Sequence, residues 1–305
     1  MNIKNLKSTA RLALTGQAYR LTLQHSAIAL GASLLVTLAG FLLTRLGSNT
    51  AGLSGIGMRS ILLTAQSALS YGVVLAMPFW NLGYCYTALG FARREYREFS
   101  SLAEGFRRFL PALRMFLLQA ALILGIAYLC LQASTVLFML SPWSDGLFMM
   151  VQQLAGDPAA TLDAATVEQL VPLLIPVYVL FAGLLAAVLL PILYRLRLAE
   201  FAMVDKATGA RDAFRQSAIA MRGSRFAFFK LDLSFWWYYG LLLLAGALTY
   251  GDTLLDALGV PTGDVGYLLF AALGGAAQLL VTWRFAPYVQ TTTAIAYTEL
   301  TIDNG

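Results

Sequence analysis

Lysine and arginine fall almost entirely into alternate gaps between long runs that hold no charged residue. Each of the six runs has at least 19 residues, which is enough for a helix to cross about 30 Å of hydrocarbon at roughly 1.5 Å per residue. The runs without Asp, Glu, Lys or Arg are Leu21–Thr44, Ser60–Ala92, Met115–Ser144, Gln169–Tyr194, Leu233–Gly251 and Val265–Trp283.

The gaps between these runs alternate in their basic count. The first, third, fifth and last gaps carry four, six, eight and one basic residues, and the others carry two, none and none. Because basic residues concentrate on the cytoplasmic side of a membrane protein, both termini are predicted inside. The fold class predicted is an all-α polytopic membrane protein with six transmembrane helices. Residues 1–305 are predicted to form one integral membrane domain, with spans at about 24–44, 67–92, 113–141, 170–194, 230–251 and 265–287.

This orientation predicts the outcome of a labelling experiment. In a Cys-free background, a membrane-impermeant thiol reagent added to intact cells should modify a cysteine placed at Gly156 and leave one at Gly209 unmodified. Gly209 lies in the gap with eight basic residues, and Gly156 lies in a gap with none. Modification of position 209 in intact cells would contradict the orientation.

Composition agrees with a membrane protein and indicates its partners. The chain is 59% hydrophobic with mean hydropathy +0.69, and 12% of its residues are charged, against roughly 25% in soluble domains. The basic residues flank apolar runs rather than forming a nucleic-acid patch, so no nucleic acid is expected. The expected partners are the phospholipid bilayer and the anionic lipids of its inner leaflet.

Two predicted cytoplasmic segments have amphipathic patterns. Ser101–Leu110 has apolar residues near helical spacing, and Ser101 with Glu104 forms a capping-box pattern. Ala210–Arg222 is patterned in the same way, with Ala213, Ser217 and Met221 on its less polar face. Both segments are predicted to be helices lying near the inner membrane plane.

Residues able to carry catalysis are sparse. The chain has no HExxH, GxSxG, Walker or CxxC motif. Its one histidine, His25, is interpreted as an interfacial side chain, and Cys85 and Cys130 as free buried thiols, since they differ in predicted depth by roughly 12 Å. No catalytic residue, cofactor or metal is predicted, and the protein is not expected to be an enzyme.

Polar residues within apolar spans are the strongest sequence pointers to function. The candidates are Asn81 in the second span, Gln278 in the sixth, and Asp232 and Arg284 at the predicted cytoplasmic ends of the fifth and sixth. Spans five and six have equal lengths and a short connection, which predicts that Asp232 and Arg284 lie at one depth and form a salt bridge. The alternative is that both side chains reach water.

One set of residues, centred on the segment from Tyr194 to Asp252, forms a recognisable pattern. Its members are Asp205, Gly209, Ala213, Ser217, Met221, Gly223 and Phe229–Phe235, with Pro287, Tyr288, Thr293, Ala294 and Tyr297 later, and Ile3, Lys4, Pro78 and Gly83 earlier. On these residues the segment resembles the hallmark region of a bacterial integral membrane family of unknown function, the DUF nine-seventy-five type. The resemblance covers nearly the whole chain, and it implies a multi-pass protein of the bacterial cytoplasmic membrane and no chemistry. The family is distantly similar to membrane domains fused to some glycerophosphodiester phosphodiesterases, which points toward lipid.

Two classes of function remain open. One is a transport- or export-associated or lipid-handling protein with a pocket among its helices. Active transport would require a partner ATPase or an ion gradient, and the spans hold few ionisable groups that could sense such a gradient. A partner membrane protein or ATPase is therefore one expectation for this class. The other is a scaffold, sensor or immunity-type protein that acts through its cytoplasmic helices. A cavity near Asn81 or Gln278 would favour the first.

Overall fold

The computed structural model describes residues 2–48, 53–156, 164–206, 209–260 and 263–303, and in these ranges all regular structure is helical. A 3₁₀ turn at Phe99–Ala103 lies between the third and fourth helices. The helices are α1 (Ile3–Ala13), α2 (Gly16–Ser48), α3 (Leu53–Ala92), α4 (Glu104–Arg107), α5 (Phe109–Met139), α6 (Ser144–Gly156), α7 (Ala164–Leu196), α8 (Ala199–Lys206), α9 (Ala210–Ala220), α10 (Arg225–Leu233), α11 (Trp236–Thr249), α12 (Gly251–Ala257) and α13 (Gly263–Asp303).

Five helical segments of the described chain are long and apolar enough to cross a membrane. They are Gly16–Leu42, Ser60–Ala92, Phe109–Met139, Val171–Lys206 and Val265–Ile302. The sixth candidate is the pair α10 and α11, which meet at 55°. Its second member, α11, has 14 residues and a length of about 21 Å, too short to cross the hydrocarbon alone. The prediction of an all-α polytopic membrane protein is confirmed, with five spans or six if the bent pair is one span.

Contacts divide the chain into two compact units. The first unit comprises Met1–Leu113 and Arg197–Gly305, and the second comprises Arg114–Leu196. In the second unit, α7 continues through Pro172, Pro176 and Pro191. The single domain predicted for residues 1–305 is not tested by this division and stays a prediction.

The buried core of the first unit lies at one end of its long helices. Buried positions concentrate at the start of α2, the end of α3, the helices α8 and α9, and the last third of α13. The remaining parts of the spans expose apolar side chains, such as Leu35 at 66% and Ile61 at 64%. Exposed apolar surface along a helix of this length is typical of contact with lipid. The protein-packed core therefore lies at the end of the spans where the basic gaps are.

Two glycines let backbones meet in this core. A Cβ atom on Gly83 would lie 1.8 Å from the carbonyl oxygen of Leu102, and one on Gly105 would lie 1.9 Å from that of Phe79. The 3₁₀ turn and α4 therefore lie directly on α3, with peptide groups in contact. Leu102 is fully buried as a result.

This packing corrects the prediction for Ser101–Leu110. The segment is not one amphipathic helix at the membrane surface, because it is divided among the 3₁₀ turn, the four-residue α4 and the start of α5. The predicted capping box is also wrong, because Ser101 donates to the carbonyl oxygen of Glu98 and pairs with the Thr87 hydroxyl at 3.1 Å. Glu104 forms ion pairs with Arg108 at 3.0 Å and Arg107 at 3.5 Å.

The helix predicted over Ala210–Arg222 is present as α9, but protein rather than lipid covers its less polar face. Ala213, Ser217 and Met221 are fully buried, and α9 packs on α8 and α13. The Ser217 hydroxyl accepts a hydrogen bond from the backbone N–H of Leu198 at 3.1 Å, which anchors the start of α8. At Gly223, φ is +79°, a conformation that favours glycine.

Both cysteines are free and buried, as predicted. Cys85 does more than fill space, because its thiol donates to the Glu200 carboxylate with an Sγ–Oε2 distance of 3.3 Å. This contact joins α3 to α8 within the first unit.

Candidate functional site

A cavity of about 260 Å³ lies among α2, α3 and α13. Its floor is formed by His25 and Ser26, each 7% exposed, and its mouth lies at the exposed residues Ser33 and Gln278. None of the described residues that line this cavity is charged. The lining residues are His25, Ser26, Ala29, Leu30, Ser33, Met77, Gln278, Leu279 and Thr282.

The His25 ring is held in an aromatic stack. Trp80 lies parallel to it with a centroid distance of 5.5 Å, and Tyr84 lies on it at 4.5 Å. The Trp80 indole N–H donates to the backbone carbonyl of His25 at 3.1 Å, while the Tyr84 hydroxyl pairs with that of Thr22 at 2.8 Å. The stack fixes the position and plane of the imidazole.

Two polar atoms at the cavity floor are buried without a hydrogen-bond partner, namely His25 Nε2 and Ser26 Oγ. An unsatisfied buried polar group costs about 1–3 kcal/mol, so a ligand or water that supplied partners would be stabilised here. Because His25 and Ser26 line a cavity large enough to admit such a group, the floor is suited to binding.

Small residues on α2 create the space. Thr22, Ser26, Ala29 and Ser33 recur at helical spacing, which places them along one face of the helix. Larger residues there would fill the gap toward α13. This spacing is the sequence signal that could have identified the cavity. The interpretation of His25 as an interfacial side chain missed it, and the structure instead buries His25 in the stack.

The four predicted site residues do not converge. Gln278 lines the cavity. Asn81 is exposed and outside the lining, although its side chain interacts with the His25 ring. Asp232 and Arg284 lie elsewhere in the first unit.

The predicted Asp232–Arg284 salt bridge is wrong. Asp232 Oδ1 instead pairs with Arg197 Nη2 at 3.5 Å, and Arg284 Nη1 donates to the Tyr19 hydroxyl at 3.3 Å. The prediction treated residues 230–251 as one straight span. Asp232 belongs to α10, before the 55° bend, so equal span lengths do not place it beside Arg284.

Metal-binding side chains are not clustered in the part of the chain that the structure describes, where no three His, Cys, Asp or Glu residues come together. Five hallmark residues instead have structural positions in the core. Asp205 contacts Arg93 and Tyr297, Ser217 anchors α8, and Phe235 meets the Tyr288 ring edge-on at 5.5 Å.

Comparison with known proteins gives a family without an assigned activity. No curated protein and no solved structure matches the chain. A family model described as "Protein of unknown function (DUF975)" matches residues 1–304. The match spans the N-terminal helix, the cavity and the hallmark region alike, and the chain therefore belongs to the DUF975 family.

Proposed function

We propose that this protein handles lipid, binding the uncharged glycerol-ester part of a membrane lipid in the cavity at His25. The observation that carries the proposal is the pair of buried, unpartnered polar atoms, His25 Nε2 and Ser26 Oγ, on the floor of that cavity. A cavity of about 260 Å³ is slightly smaller than the roughly 300–1,000 Å³ of drug-sized ligand sites. It therefore suits one polar segment of a lipid, with the acyl chains left along the exposed apolar faces.

The lining selects for uncharged polar groups. His25, Ser26, Ser33, Gln278 and Thr282 offer hydroxyl, amide and imidazole groups, which pair with ester and hydroxyl oxygens. A full charge would be poorly solvated there, because no charged side chain in the described part of the chain lines the cavity.

Binding rather than catalysis fits the geometry at the floor. Activation of a serine requires a base within hydrogen-bond distance of its hydroxyl. His25 and Ser26 are adjacent in sequence, but neither His25 Nε2 nor Ser26 Oγ has a hydrogen-bond partner, so these two atoms do not bond to each other. The proposal therefore keeps the prediction that the protein is not an enzyme.

The scaffold alternative draws less support from the structure. It relied on cytoplasmic amphipathic helices presenting a free face, whereas the less polar face of α9 is covered by α8 and α13. The basic gaps support placement in a bacterial cytoplasmic membrane, with the cavity floor toward the inner leaflet.

A matched pair of leucine substitutions on α2 tests the proposal. Ala29 lines the cavity and Ala27, two residues earlier, is exposed, so Ala29→Leu fills the cavity while Ala27→Leu adds the same volume outside it. In phosphatidylcholine nanodiscs that contain a photo-crosslinking diacylglycerol, Ala29→Leu should lower labelling of the protein at least about fivefold, since lost contacts of about 1 kcal/mol have that effect. Ala27→Leu should label as the wild type does.

A second variant separates the contribution of the His25 hydrogen bond from that of the cavity's shape. His25→Phe preserves the aromatic stack and removes Nε2, so labelling should fall in this variant as well. Equal labelling of Ala29→Leu, His25→Phe and wild type, with unchanged melting temperatures, would overturn the proposal.

A further inference from the structure

A second pocket, of about 450 Å³, lies where α1 meets the later part of α13. Arg11 and Arg284 line it with the aromatic residues Tyr19, Trp237 and Tyr288. Of the residues that the structure describes, no aspartate or glutamate lines this pocket. An adjoining pocket of about 460 Å³ shares Arg11 and Tyr288 and adds Lys4 and Lys7, so the positive charge extends along α1. The two pockets together are called the basic groove.

The two arginines of the basic groove differ from others in the first unit. Arg93, Arg97, Arg108 and Arg197 each pair with a carboxylate. Within the described ranges, no ion pair involves Arg11 or Arg284. Arg284 donates to the Tyr19 hydroxyl and lies over its ring, with its guanidinium carbon 5.8 Å from the centroid. These contacts orient the guanidinium and leave most of its N–H groups available.

The wall of the basic groove also holds an unpartnered polar atom. The Tyr288 hydroxyl is buried without a hydrogen-bond partner, and the Arg11 guanidinium lies 5.4 Å from the centroid of the Tyr288 ring. Burial, with the nearby charge of Arg11, lowers the pKa of Lys7, as expected where cations gather. Two oriented guanidiniums and a hydroxyl donor suit a phosphate group, which accepts bidentate bonds from arginine.

We propose that the basic groove binds a phosphate group, and that an anionic phospholipid headgroup supplies it. The phosphate chemistry rests on the basic groove alone, while the lipid source rests on the function proposed above. Tyr19 and Phe285, which line the groove, lie seven residues from Ser26 and Gln278, which line the cavity. A spacing of seven returns to the same face of a helix, so the groove and the cavity follow one side of α2 and α13, about 10 Å apart along the helix axes.

The test compares lipid-induced stabilisation of the full-length protein in detergent. Dioctanoyl phosphatidylglycerol should raise the melting temperature of the wild type, and dioctanoyl phosphatidylcholine should have a smaller effect. Arg11→Gln with Arg284→Gln should raise the half-maximal phosphatidylglycerol concentration at least about tenfold, because the loss of even one charge-assisted hydrogen bond is enough for a change of that size. The matched control is Arg20→Gln, an exposed arginine of α2 outside the groove, which should respond as the wild type does.

A charge-preserving variant guards against a general loss of folding. Arg11→Lys with Arg284→Lys retains the charge but not the planar fork, so its response should lie between those of the wild type and the glutamine variant. Ala29→Leu, which fills the cavity, should keep the full phosphatidylglycerol response, so failure of the groove and failure of the cavity give different results.

Three further outcomes identify the ligand source or contradict the proposal. An equal shift with inorganic phosphate at the same concentration, lost in the glutamine variant, would support the phosphate site and assign it to a soluble phosphate. Equal responses of the wild type and a folded glutamine variant would overturn the phosphate site itself. Equal shifts with phosphatidylglycerol and phosphatidylcholine, which carries the same phosphate beside a choline cation, would overturn the anionic headgroup as its source.

Discussion

Gly83→Ala is expected to destabilise the first unit severely. The new Cβ would lie 1.8 Å from the carbonyl oxygen of Leu102 and 2.6 Å from its carbonyl carbon. These are backbone atoms, so no side-chain rotation relieves the clash, and the 3₁₀ turn must move off α3. Overpacking of a core typically costs about 1–3 kcal/mol and occasionally more, and a clash with backbone atoms belongs at or above the upper end of this range. Alanine in a helix recovers only about 0.5–1 kcal/mol, so a net loss of about 2 kcal/mol or more is expected.

The matched control for this prediction is Gly72→Ala on the same helix. A Cβ at Gly72 meets no atom within 4 Å, so this change should leave stability unchanged or raise it slightly. Gly105→Ala should reproduce the Gly83→Ala defect, because its Cβ would lie 1.9 Å from the Phe79 carbonyl oxygen. Thermal melting of the detergent-solubilised protein measures all three. If the Gly83→Ala and Gly72→Ala proteins have the same melting temperature, the 3₁₀ turn does not lie on α3 as described.

The membrane-spanning helices were predictable because the feature that marks them, a long uncharged run, is contained in consecutive residues of the sequence. A span needs a long run without charge, and residues 60–92 and 265–283 show this directly in the sequence. The ends of the helices were not predicted equally well. The sixth span was predicted to end near residue 287, whereas α13 continues to Asp303 because protein buries its last turns, including Thr292 and Tyr297. Burial by protein extends a helix beyond the membrane without changing the pattern that hydropathy detects.

Partners across helices were not predictable from the sequence. The Asp232–Arg284 prediction failed because the chain changes direction by 55° between α10 and α11. The sequence contains no proline at this break. The cavity was accessible only in part. The small residues Ser26, Ala29 and Ser33 lie at helical spacing, but whether α13 approaches that face or leaves room depends on crossing geometry. Gln278 was selected as a polar residue within a span, and its position in the lining follows from that geometry.

Asp205→Asn is the second large effect expected. Asp205 Oδ1 pairs with Arg93 Nη2 at 2.6 Å, and Oδ2 accepts from the Tyr297 hydroxyl at 3.1 Å. The carboxylate thus ties the end of α8 to Arg93, which directly follows α3, and to Tyr297 on α13. Its side chain is 13% exposed, and Tyr297 is 1% exposed and stacks on Phe201.

An asparagine at this position accepts from only one of the two donors and presents its NH₂ group to the other. Breaking a buried pair costs about 3–5 kcal/mol, but the Arg93 side chain is 34% exposed and reaches water, so a loss of about 1–3 kcal/mol is expected for Asp205→Asn. Tyr297→Phe removes one neutral donor and should cost about 1 kcal/mol.

Asp212→Asn is the control, because Asp212 is an exposed aspartate on α9. Melting of the purified variants in detergent should rank Asp205→Asn below Tyr297→Phe, and Tyr297→Phe below Asp212→Asn. Only the Asp205 change removes two partners of a carboxylate. If Asp205→Asn and Asp212→Asn have the same melting temperature, the Asp205 carboxylate does not hold these helices together.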